Sequence, residues 1–344
     1  MIRVFVVDDS PFVRKALRRV FQGTPDLRVI GEAATAAEAL ARIPESQADV
    51  VTLDVDLQGM SGLTVLRRLM ATSPDLRVLM LSALTQQGTE ATLDALSAGA
   101  ADFVDKQQLN FMDLDALDRE LVDRVRSIAG LCPPASALPP RATDLPDLSR
   151  TELIVIGAST GGPAAIQGIL QPLPAGYPVP IAVVQHMPPG FTRAFAARLD
   201  SLCRVRVTEA VDGARLVPGS VFIAPAGQQL RFNHSLVASV SAEANGVRRT
   251  DASVRHAPSV NVLFESAARA RRAGVLGVLL TGMGDDGAEG MAAIQAGGGI
   301  TIAESEDSCA VYGMPRAAVL RGAARLVLPL GEIAEVVRGV RGER

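Results

Sequence analysis

The sequence contains few of the residues that most often bind metals or form disulfide bridges. Its 344 residues include three cysteines and three histidines. The cysteines, Cys132, Cys203 and Cys309, are odd in number and lack the spacing of a metal site, so neither a disulfide framework nor a zinc site is expected. Unpaired thiols of this kind are typical of cytosolic proteins.

Lysine is also scarce, because only Lys15 and Lys106 are lysines among the 34 cationic residues. Arginine and lysine are not interchangeable where a compact positive charge must meet an anion. Lys15 lies on a predicted helix face and is interpreted as a solvated surface charge. Lys106 directly follows an apolar strand pattern and is the better candidate for a functional role.

Long apolar runs and a strong charge bias are missing as well. No run approaches the ~18 apolar residues that span a bilayer, and the N-terminal run is too short for a signal peptide. Residues 1–130 hold 14 basic and 19 acidic residues, net −5, and the remainder holds 20 and 18, net +2. Neither part has the strongly basic character of a nucleic-acid binder. We therefore expect a soluble, cytoplasmic protein with no nucleic-acid partner and no membrane insertion.

The chain has the pattern of two domains. Residues 129–150 are rich in proline, alanine and serine and are typical of an extended linker. On both sides of it, short apolar runs alternate with helical patterns, which predicts βαβ units and parallel sheets. An interruption at about residues 205–249 has the pattern of hairpins. The predicted fold class is α/β, with two doubly wound parallel-sheet domains, one of them with a hairpin insertion; the predicted boundaries are 1–126, a Pro/Ala-rich linker at 127–150, and 151–344.

Polar side chains end the apolar strands of the first domain. The strand ends carry Asp8 and Asp9, Asp54, Ser82 and Lys106. Strand C-termini of a doubly wound sheet lie along one edge, so these side chains should converge. Three carboxylates suit Mg²⁺, and Asp54 is a candidate phosphoryl acceptor whose added oxygens would be neutralised by the metal and the lysine. Helix capping is an alternative for any one of these residues but does not account for the whole set.

The second domain opens with "LIVIGASTGGP", in which Gly157, Ser159 and Gly161 form a G-x-S-x-G pattern between a strand and a helix. This is the context of a nucleophile elbow. The alternative is a phosphate-binding loop of a dinucleotide fold. That fold requires a different glycine spacing and an acidic residue after the second strand, where this chain has Gln185 and His186.

A serine nucleophile needs a base, and only three histidines are available. His186 follows the next apolar strand and should lie at the same sheet edge as Ser159. His234 lies among the predicted hairpins and His256 in a polar stretch, and both are interpreted as surface or local hydrogen-bonding residues. The favoured base is therefore His186.

The third group of a triad must orient the imidazole. The turn "TGMGDDGAEGM" follows another buried strand and carries Asp285 and Asp286, which should lie at the same edge. Either aspartate could instead cap the next helix. The order of serine, histidine and aspartate differs from that of ordinary α/β hydrolases, but a triad is defined by geometry and not by chain order.

Residues 1 to about 126 resemble a response-regulator receiver domain. The resemblance implies that Asp54 is phosphorylated, that Asp8, Asp9 and Asp54 bind Mg²⁺, and that Ser82 and Lys106 are the switch residues. Three positions depart from the usual family pattern, namely Gln58, Ser61 and Gln107.

The second domain resembles the catalytic domain of the chemotaxis protein-glutamate methylesterase family. The motifs that carry the resemblance are "IGASTGGP", "QHMPPGFT", "APSVNVLF", "TGMGDDGAEGM" and "CAVYGMPR". The family pattern implies Ser159 as nucleophile, His186 as base and Asp286 as orienting acid, without a cofactor for the esterase reaction. Asp285 stands where the family usually has a neutral residue. The N–H groups of Thr160 and of the turn holding Met283 are candidate oxyanion donors.

The two resemblances together imply a phosphorylation-activated serine esterase. Its expected substrates are glutamate methyl esters, and glutamine amides, on methyl-accepting chemotaxis receptors, which gives sensory adaptation. Its expected phosphodonor is a chemotaxis histidine kinase. The alternative is a receptor- or kinase-binding signalling module with a catalytically inert second domain. A pure binding module has no need of a serine, a histidine and an aspartate together, so the enzyme is favoured.

Overall fold

The structure is a computed structural model, and it describes residues 1–82, 86–106, 114–130, 147–242 and 256–341. The chain divides into two compact units, residues 1–133 and 134–344. Most of the predicted linker, together with Cys132 and Gln107, lies outside the described residues. The predicted domain boundaries therefore stay predictions.

The first unit is an alternation of strands and helices around one parallel sheet in the order β2-β1-β3-β4-β5. This is the doubly wound order of flavodoxin-like domains. Among the described residues its elements are β1 Ile2–Val7, α1 Pro11–Gln22, β2 Leu27–Ala33, α2 Ala36–Ser46, β3 Val50–Asp54, α3 Gly62–Thr72, β4 Arg77–Ser82, α4 Gln86–Ser97, β5 Asp102–Asp105 and α5 Leu114–Ile128.

Apolar runs in the sequence predict some strands of this sheet and not others. The difference follows from how deeply each strand is buried. Every residue of β3 is buried, as is nearly every residue of β1 and β4, because helices cover both faces of a parallel sheet. The edge strand β2 is buried only at its two ends. Its sequence therefore lacks a continuous apolar run, and the apolar pattern alone does not predict it.

The second unit contains a seven-stranded parallel sheet in the order β14-β13-β12-β6-β7-β9-β8. With the parallel sheet of the first unit, it confirms the predicted fold class. Among the described residues its elements are β6 Leu153–Ala158, α6 Gly162–Leu170, β7 Ile181–Gln185, α7 Phe191–Leu202, β8 Arg206–Glu209, β9 Ser220–Ile223, β10 Gln229–Phe232, β11 Ala238–Ser241, α8 Val260–Arg271, a 3-10 turn Arg272–Gly274, β12 Val275–Leu279, α9 Ala288–Ala296, β13 Ile300–Glu304, α10 Met314–Leu320, β14 Leu326–Leu328 and α11 Leu330–Gly339.

The interruption at residues 205–249 is only partly a hairpin. Strands β10 and β11 pair antiparallel, as predicted for the insertion. Strands β8 and β9 instead pair in parallel with each other and extend the main sheet from β7. Short apolar runs do not show whether a strand pairs with its neighbour in the chain or crosses to a distant sheet edge, so this part of the expectation was wrong.

Strand β6 is the central strand that positions the candidate site of the second unit. It pairs with β12 on one side and with β7 on the other. The turns that follow these three strands therefore meet at one edge of the sheet. None of the helices in the described ranges has the length and apolar character that a bilayer span requires.

Candidate active site

The acidic residues predicted to converge in the first unit do lie together. Asp8 and Asp54 are buried, and ligand oxygens of Asp8, Asp9 and Asp54 lie within 4.8 Å of one another. Lys106 Nζ lies 2.7 Å from Asp8 Oδ2 and 2.7 Å from Asp54 Oδ2. Because oxygen ligands at this spacing suit a hard divalent cation, the residues present fit Mg²⁺.

Burial and charge shift the proton affinities of this cluster. Burial raises the pKa of Asp54 to about 6, although Lys106 opposes the shift, and the negative charge of Asp8 adds to it. Burial alone would lower the pKa of Lys106, but its bonds to Asp54 and Asp8 outweigh burial and raise that pKa above its usual value. The site therefore has more negative charge than one ammonium neutralises, which favours a cation beside it.

Ser82 and Lys106 reach this edge from neighbouring strands. Ser82 ends β4, is buried, and directs its hydroxyl to the backbone oxygen of Gly88 at 3.4 Å. The backbone N–H of Lys106 donates to the backbone oxygen of Ser82 at 2.7 Å. This pairing places the lysine just past the end of β5, beside β4, and its side chain reaches Asp54 at the end of β3.

In the second unit, Ser159 begins the turn between β6 and α6. Its N–H donates to Thr281 O at 3.0 Å, and its carbonyl accepts the N–H of Gly162 at 2.8 Å. Gly161 then has φ +79°, a left-handed conformation that favours glycine. The turn lifts Ser159 out of the sheet edge, and in the described residues its hydroxyl has no hydrogen-bond partner.

The glycines of this turn are required by close packing. A Cβ atom at Gly157 would lie 2.3 Å from Val260 Cγ1, and one at Gly162 would lie 2.0 Å from Gln185 Oε1. Strand β6 and the start of α6 therefore approach their neighbours closely only because these side chains are missing. Gly161, the second glycine of the G-x-S-x-G pattern, is equally crowded, since a Cβ atom there would lie 2.5 Å from Ala310 Cβ, so the pattern has a packing cause as well as a chemical one.

His186 and Asp286 lie on either side of the serine turn. The backbone N–H of His186 donates to Ala158 O at 3.1 Å, which places His186 beside the residue that precedes Ser159. Nε2 of His186 lies 2.9 Å from Asp286 Oδ2. Nδ1 is then the ring nitrogen that does not face the carboxylate, and a base at this position could use it to accept a proton.

Asp286, and not Asp285, is the carboxylate against the imidazole. Asp286 is buried, whereas Asp285 is exposed. Burial acts to raise the pKa of Asp286, but hydrogen bonds from His186 and from backbone N–H groups outweigh it and lower that pKa to about 2. Asp286 therefore stays ionised at neutral pH and can orient the ring.

The same carboxylate occupies the N-terminus of helix α8. Its oxygens accept the hydroxyl of Ser259 at 2.9 Å and the N–H groups of Val260 and Asn261 at 2.7 and 3.0 Å. Helix N-termini favour negative charge, so α8 contributes to keeping Asp286 ionised. Ser259 and Asn261 were not among the residues predicted from the sequence, although they belong to the motif "APSVNVLF".

Gln185 is a further residue that the sequence analysis did not assign to the site. Its side chain is buried, and its Nε2 donates to Ser159 O at 2.8 Å and to His186 O at 3.1 Å. One amide group therefore holds the backbones of the candidate nucleophile and the candidate base. The only feature of the sequence that could have assigned Gln185 to the site is its position directly before His186.

Behind the serine turn lies a buried network centred on Thr281. The Thr281 hydroxyl donates to Thr160 O at 2.9 Å and accepts the N–H of Val311 at 2.9 Å. Its N–H donates to the Glu304 carboxylate at 2.8 Å. Burial raises the pKa of Glu304. The network fixes the backbone of Thr160, one of the two candidate oxyanion residues.

The other candidate oxyanion donor is Met283. A Cβ atom at the preceding Gly282 would lie 2.8 Å from Ser159 Cβ, so the turn passes directly beside the serine. Among the described residues the Met283 N–H has no hydrogen-bond partner. A free backbone donor beside a serine is the arrangement that stabilises an oxyanion.

The remaining histidines lie at opposite ends of α8. His256 lies near the start of this helix, and its ring stacks on that of His186 with 4.4 Å between centroids and 21° between planes. His256 is exposed, as the interpretation of a surface residue implies, but nothing in the sequence indicated its contact with His186. His234 lies near the last turn, where its ring contacts Ala270 O at 3.4 Å.

Known proteins resemble both units. A family model described as CheB methylesterase matches residues 154–337, and one described as response regulator receiver domain matches residues 4–116. A protein-glutamate methylesterase/protein-glutamine glutaminase of Bordetella parapertussis is 44% identical, over 100% of this chain and 98% of its own. A second protein of that name, from Pseudomonas aeruginosa, is 43% identical over 97% and 95%. The crystal structure of the Thermotoga maritima CheB methylesterase catalytic domain is 38% identical, with a TM-score of 0.51, over 56% of this chain and 99% of that chain.

Proposed function

Because the chain belongs to the CheB methylesterase family and also carries a response regulator receiver domain, we propose that it is a serine hydrolase that demethylates glutamyl methyl esters under the control of phosphorylation. The expected substrates are methyl-accepting chemotaxis receptors, and the expected result is sensory adaptation. The observation that carries the proposal is the 2.9 Å contact between His186 Nε2 and Asp286 Oδ2, from turns that follow the two strands flanking β6, whose end carries Ser159.

In the proposed reaction, the Ser159 hydroxyl oxygen attacks the ester carbonyl. His186 Nδ1 takes the hydroxyl proton, while Asp286 holds Nε2–H and stabilises the imidazolium. The imidazolium then returns the proton to the departing methoxide, and methanol leaves. Water attacks the acyl-enzyme, again with His186 as base, and a glutamate side chain is released.

The negative charge of the tetrahedral intermediate requires donors. We assign this role to the backbone N–H groups of Met283 and Thr160, which lie on either side of Ser159 in the fold. Such donors typically contribute a factor of about 10²–10³ to kcat each. Because they are backbone groups, the side chain at position 283 can change without removing the donor.

The same residues would hydrolyse glutamine amides. Attack by Ser159 on the amide carbonyl gives an identical acyl-enzyme, and ammonia leaves after it receives the proton from His186. The printed names of the relatives include a glutaminase activity. No cofactor is expected for either reaction.

Control of this reaction is assigned to the first unit. Asp54 would accept a phosphoryl group from a chemotaxis histidine kinase, with Asp8, Asp9 and Asp54 holding Mg²⁺ and with Ser82 and Lys106 contacting the added oxygens. Bound Mg²⁺ would neutralise charge on the transferred group. The proposal places the protein in the cytoplasm, where its kinase and the cytoplasmic parts of receptors are found.

The experiment that tests the proposal is methanol release from methylated receptor membranes. The wild-type protein should release methanol, and Ser159→Ala should lower the rate by a factor of 10³ or more, as loss of a triad nucleophile does. Ser235→Ala is the matched control, because Ser235 is exposed and its side chain has no partner in the described residues. No methanol release by the wild type, with binding to receptors retained, would favour an inert signalling module instead, and equal release by both proteins would rule out Ser159 as the nucleophile.

A further inference from the structure

The ring of His256 covers one face of the His186 imidazole. The centroids are 4.4 Å apart and the planes are inclined by 21°, which is close to parallel stacking. Asp286 holds the edge of the same imidazole through Nε2. The candidate base is therefore contacted on an edge and on a face by two different side chains.

The backbone around His256 is held firmly enough to place this ring. The buried side chain of Gln229 uses both ends of its amide on this segment: Nε2 donates to His256 O at 2.7 Å, and Oε1 accepts the N–H of Ser259 at 2.9 Å. Gly227 N–H donates to Ala257 O at 2.9 Å. These hydrogen bonds hold the backbone that carries His256 in the position from which its ring stacks on that of His186.

One short segment positions both groups that contact His186. His256 provides the stacked ring, and three residues later Ser259 donates to the Asp286 carboxylate at 2.9 Å. The next residue, Val260, donates its N–H to the same carboxylate at 2.7 Å. The segment from His256 to Val260 thus determines the plane of the imidazole as well as the orientation of its carboxylate.

We propose that His256 is a positioning residue for the hydrolase reaction. Its ring keeps the His186 imidazole in the plane in which Asp286 holds Nε2 while Nδ1 is offered to Ser159. It also places π electron density over that ring when His186 becomes an imidazolium, an arrangement that is favourable for a cation on an aromatic face. This inference deepens the proposed function and rests on the assignment of Ser159 and His186.

The role of the ring can be separated from that of its nitrogens with two variants. His256→Ala removes the stack, and His256→Phe keeps an aromatic face of similar size without nitrogens. His234→Ala is the matched control, because His234 lies at the other end of α8 and contacts Ala270. Two rates are measured on the full chain: methanol release from methylated receptor membranes, and phosphonylation of Ser159 by a fluorophosphonate, which needs an activated serine but no receptor.

We expect His256→Ala to lower kcat and the phosphonylation rate about 3- to 10-fold, as loss of a face contact to a cation should. KM should stay within about 2-fold and Tm should be unchanged, since His256 is exposed. We expect His256→Phe to restore both rates to within about 2-fold of the wild type, and His234→Ala to change neither.

Wild-type rates in His256→Ala would overturn the proposal. So would a His256→Phe variant no better than His256→Ala, because the ring nitrogens would then matter and not the face, and so would a fall in Tm that accounts for the lost activity. If the wild-type protein fails on receptors but still phosphonylates, the proposed substrate is wrong while the phosphonylation series still decides the role of His256. If Ser159 is not phosphonylated at all, both proposals fail.

Discussion

At the scale of a single residue, Asp54 lies in a site where the carboxylates outnumber the positive charges. Two buried carboxylates share the one ammonium of Lys106. Burial raises the pKa of Asp54 to about 6, so loss of its proton is disfavoured in the folded state up to about that pH. A compact ammonium fits between two carboxylates where a planar guanidinium would favour one of them. This accounts for a lysine at position 106 in a chain whose cationic residues are nearly all arginines.

The raised pKa of Asp54 predicts a pH-dependent stability for the first unit. Because the folded pKa lies above the unfolded value of 3.8, the stability associated with Asp54 is present at low pH and is lost as the pH rises through about 6. Asp54→Asn should therefore stabilise the unit by about 1–3 kcal/mol at pH 8 and by much less below pH 4. Hydrogen exchange of the β1 and β3 amides, in EDTA, measures this.

Two comparisons make this stability prediction specific. Asp75→Asn is the matched control, because Asp75 is exposed and should change stability at neither pH. Addition of Mg²⁺ should stabilise the wild type more than Asp54→Asn, since the variant lacks one of the three carboxylates. Equal stability of wild type and Asp54→Asn at pH 8 would contradict the assigned charge excess.

Gln185 is the residue that connects the candidate nucleophile and base. Replacement by methionine keeps the size and removes both donors, so Ser159 O and His186 O lose a partner. We expect Gln185→Met to lower the free energy of unfolding of the second unit by about 1–3 kcal/mol and to lower kcat with little change in KM. Gln185→Glu should be worse, because a carboxylate would face two carbonyl oxygens.

Steady-state kinetics and urea unfolding test the Gln185 prediction. Gln171→Met is the control, because Gln171 ends helix α6 on the exposed surface. A Gln185→Met variant with wild-type kcat would show that the amide supports the fold without aligning the two residues. A rise in KM without a change in kcat would indicate instead that Gln185 contacts the substrate.

At the scale of elements, helices α8 and α9 begin by capping each other. The Asp286 carboxylate, from the turn before α9, accepts N–H groups at the start of α8. In return, Asn261 Oδ1, from the first turn of α8, accepts the N–H groups of Gly287 and Gly290 at 2.9 and 2.8 Å. The carboxylate that contacts His186 is therefore held by the pairing of two helix ends.

This reciprocal capping predicts a graded response at position 261. Asn261→Ala leaves two N–H groups of α9 without their acceptor and should lower stability by about 1–2 kcal/mol, with a fall in kcat as the Asp286 turn loosens. Asn261→Asp keeps the acceptor at a helix N-terminus, where negative charge is favourable, and should remain closer to the wild type.

Thermal unfolding and methanol release measure this effect. Gln295→Ala is the control, since Gln295 is exposed near the end of α9 and should change neither quantity. If Asn261→Asp proved as damaging as Asn261→Ala, repulsion between the new carboxylate and Asp286 would outweigh the cap.

At the scale of the whole molecule, one chain combines the proposed phosphoryl-acceptor site with the proposed hydrolase site, each in its own compact unit. Control by phosphorylation predicts that a small-molecule phosphodonor with Mg²⁺ raises methanol release by the wild type. Asp54→Asn should abolish that increase, because no acceptor remains, and Asp75→Asn should retain it. If Asp54→Asn responded to the phosphodonor as fully as the wild type, the first unit would not control the second through this residue.

Many features of the fold and of the two sites can be predicted from local patterns in the sequence. Fully buried strands give apolar runs, their polar ends mark one sheet edge, and the crowding at Gly157 and Gly162 leaves a glycine signature around Ser159. For that reason the α/β class, the edge that carries Asp54 and the edge that carries Ser159 could be predicted. The edge strand β2 could not, because its half-exposed residues form no apolar run.

The tertiary structure decided what depends on contacts between distant segments. Asp285 and Asp286 are equivalent in sequence, and only the packing of their turn against α8 buries one of them beside His186. The same holds for the ring of His256 on that of His186, and for β8 and β9, which join the sheet in parallel. Such pairings are set by how the whole chain packs, and no local pattern of residue types encodes them.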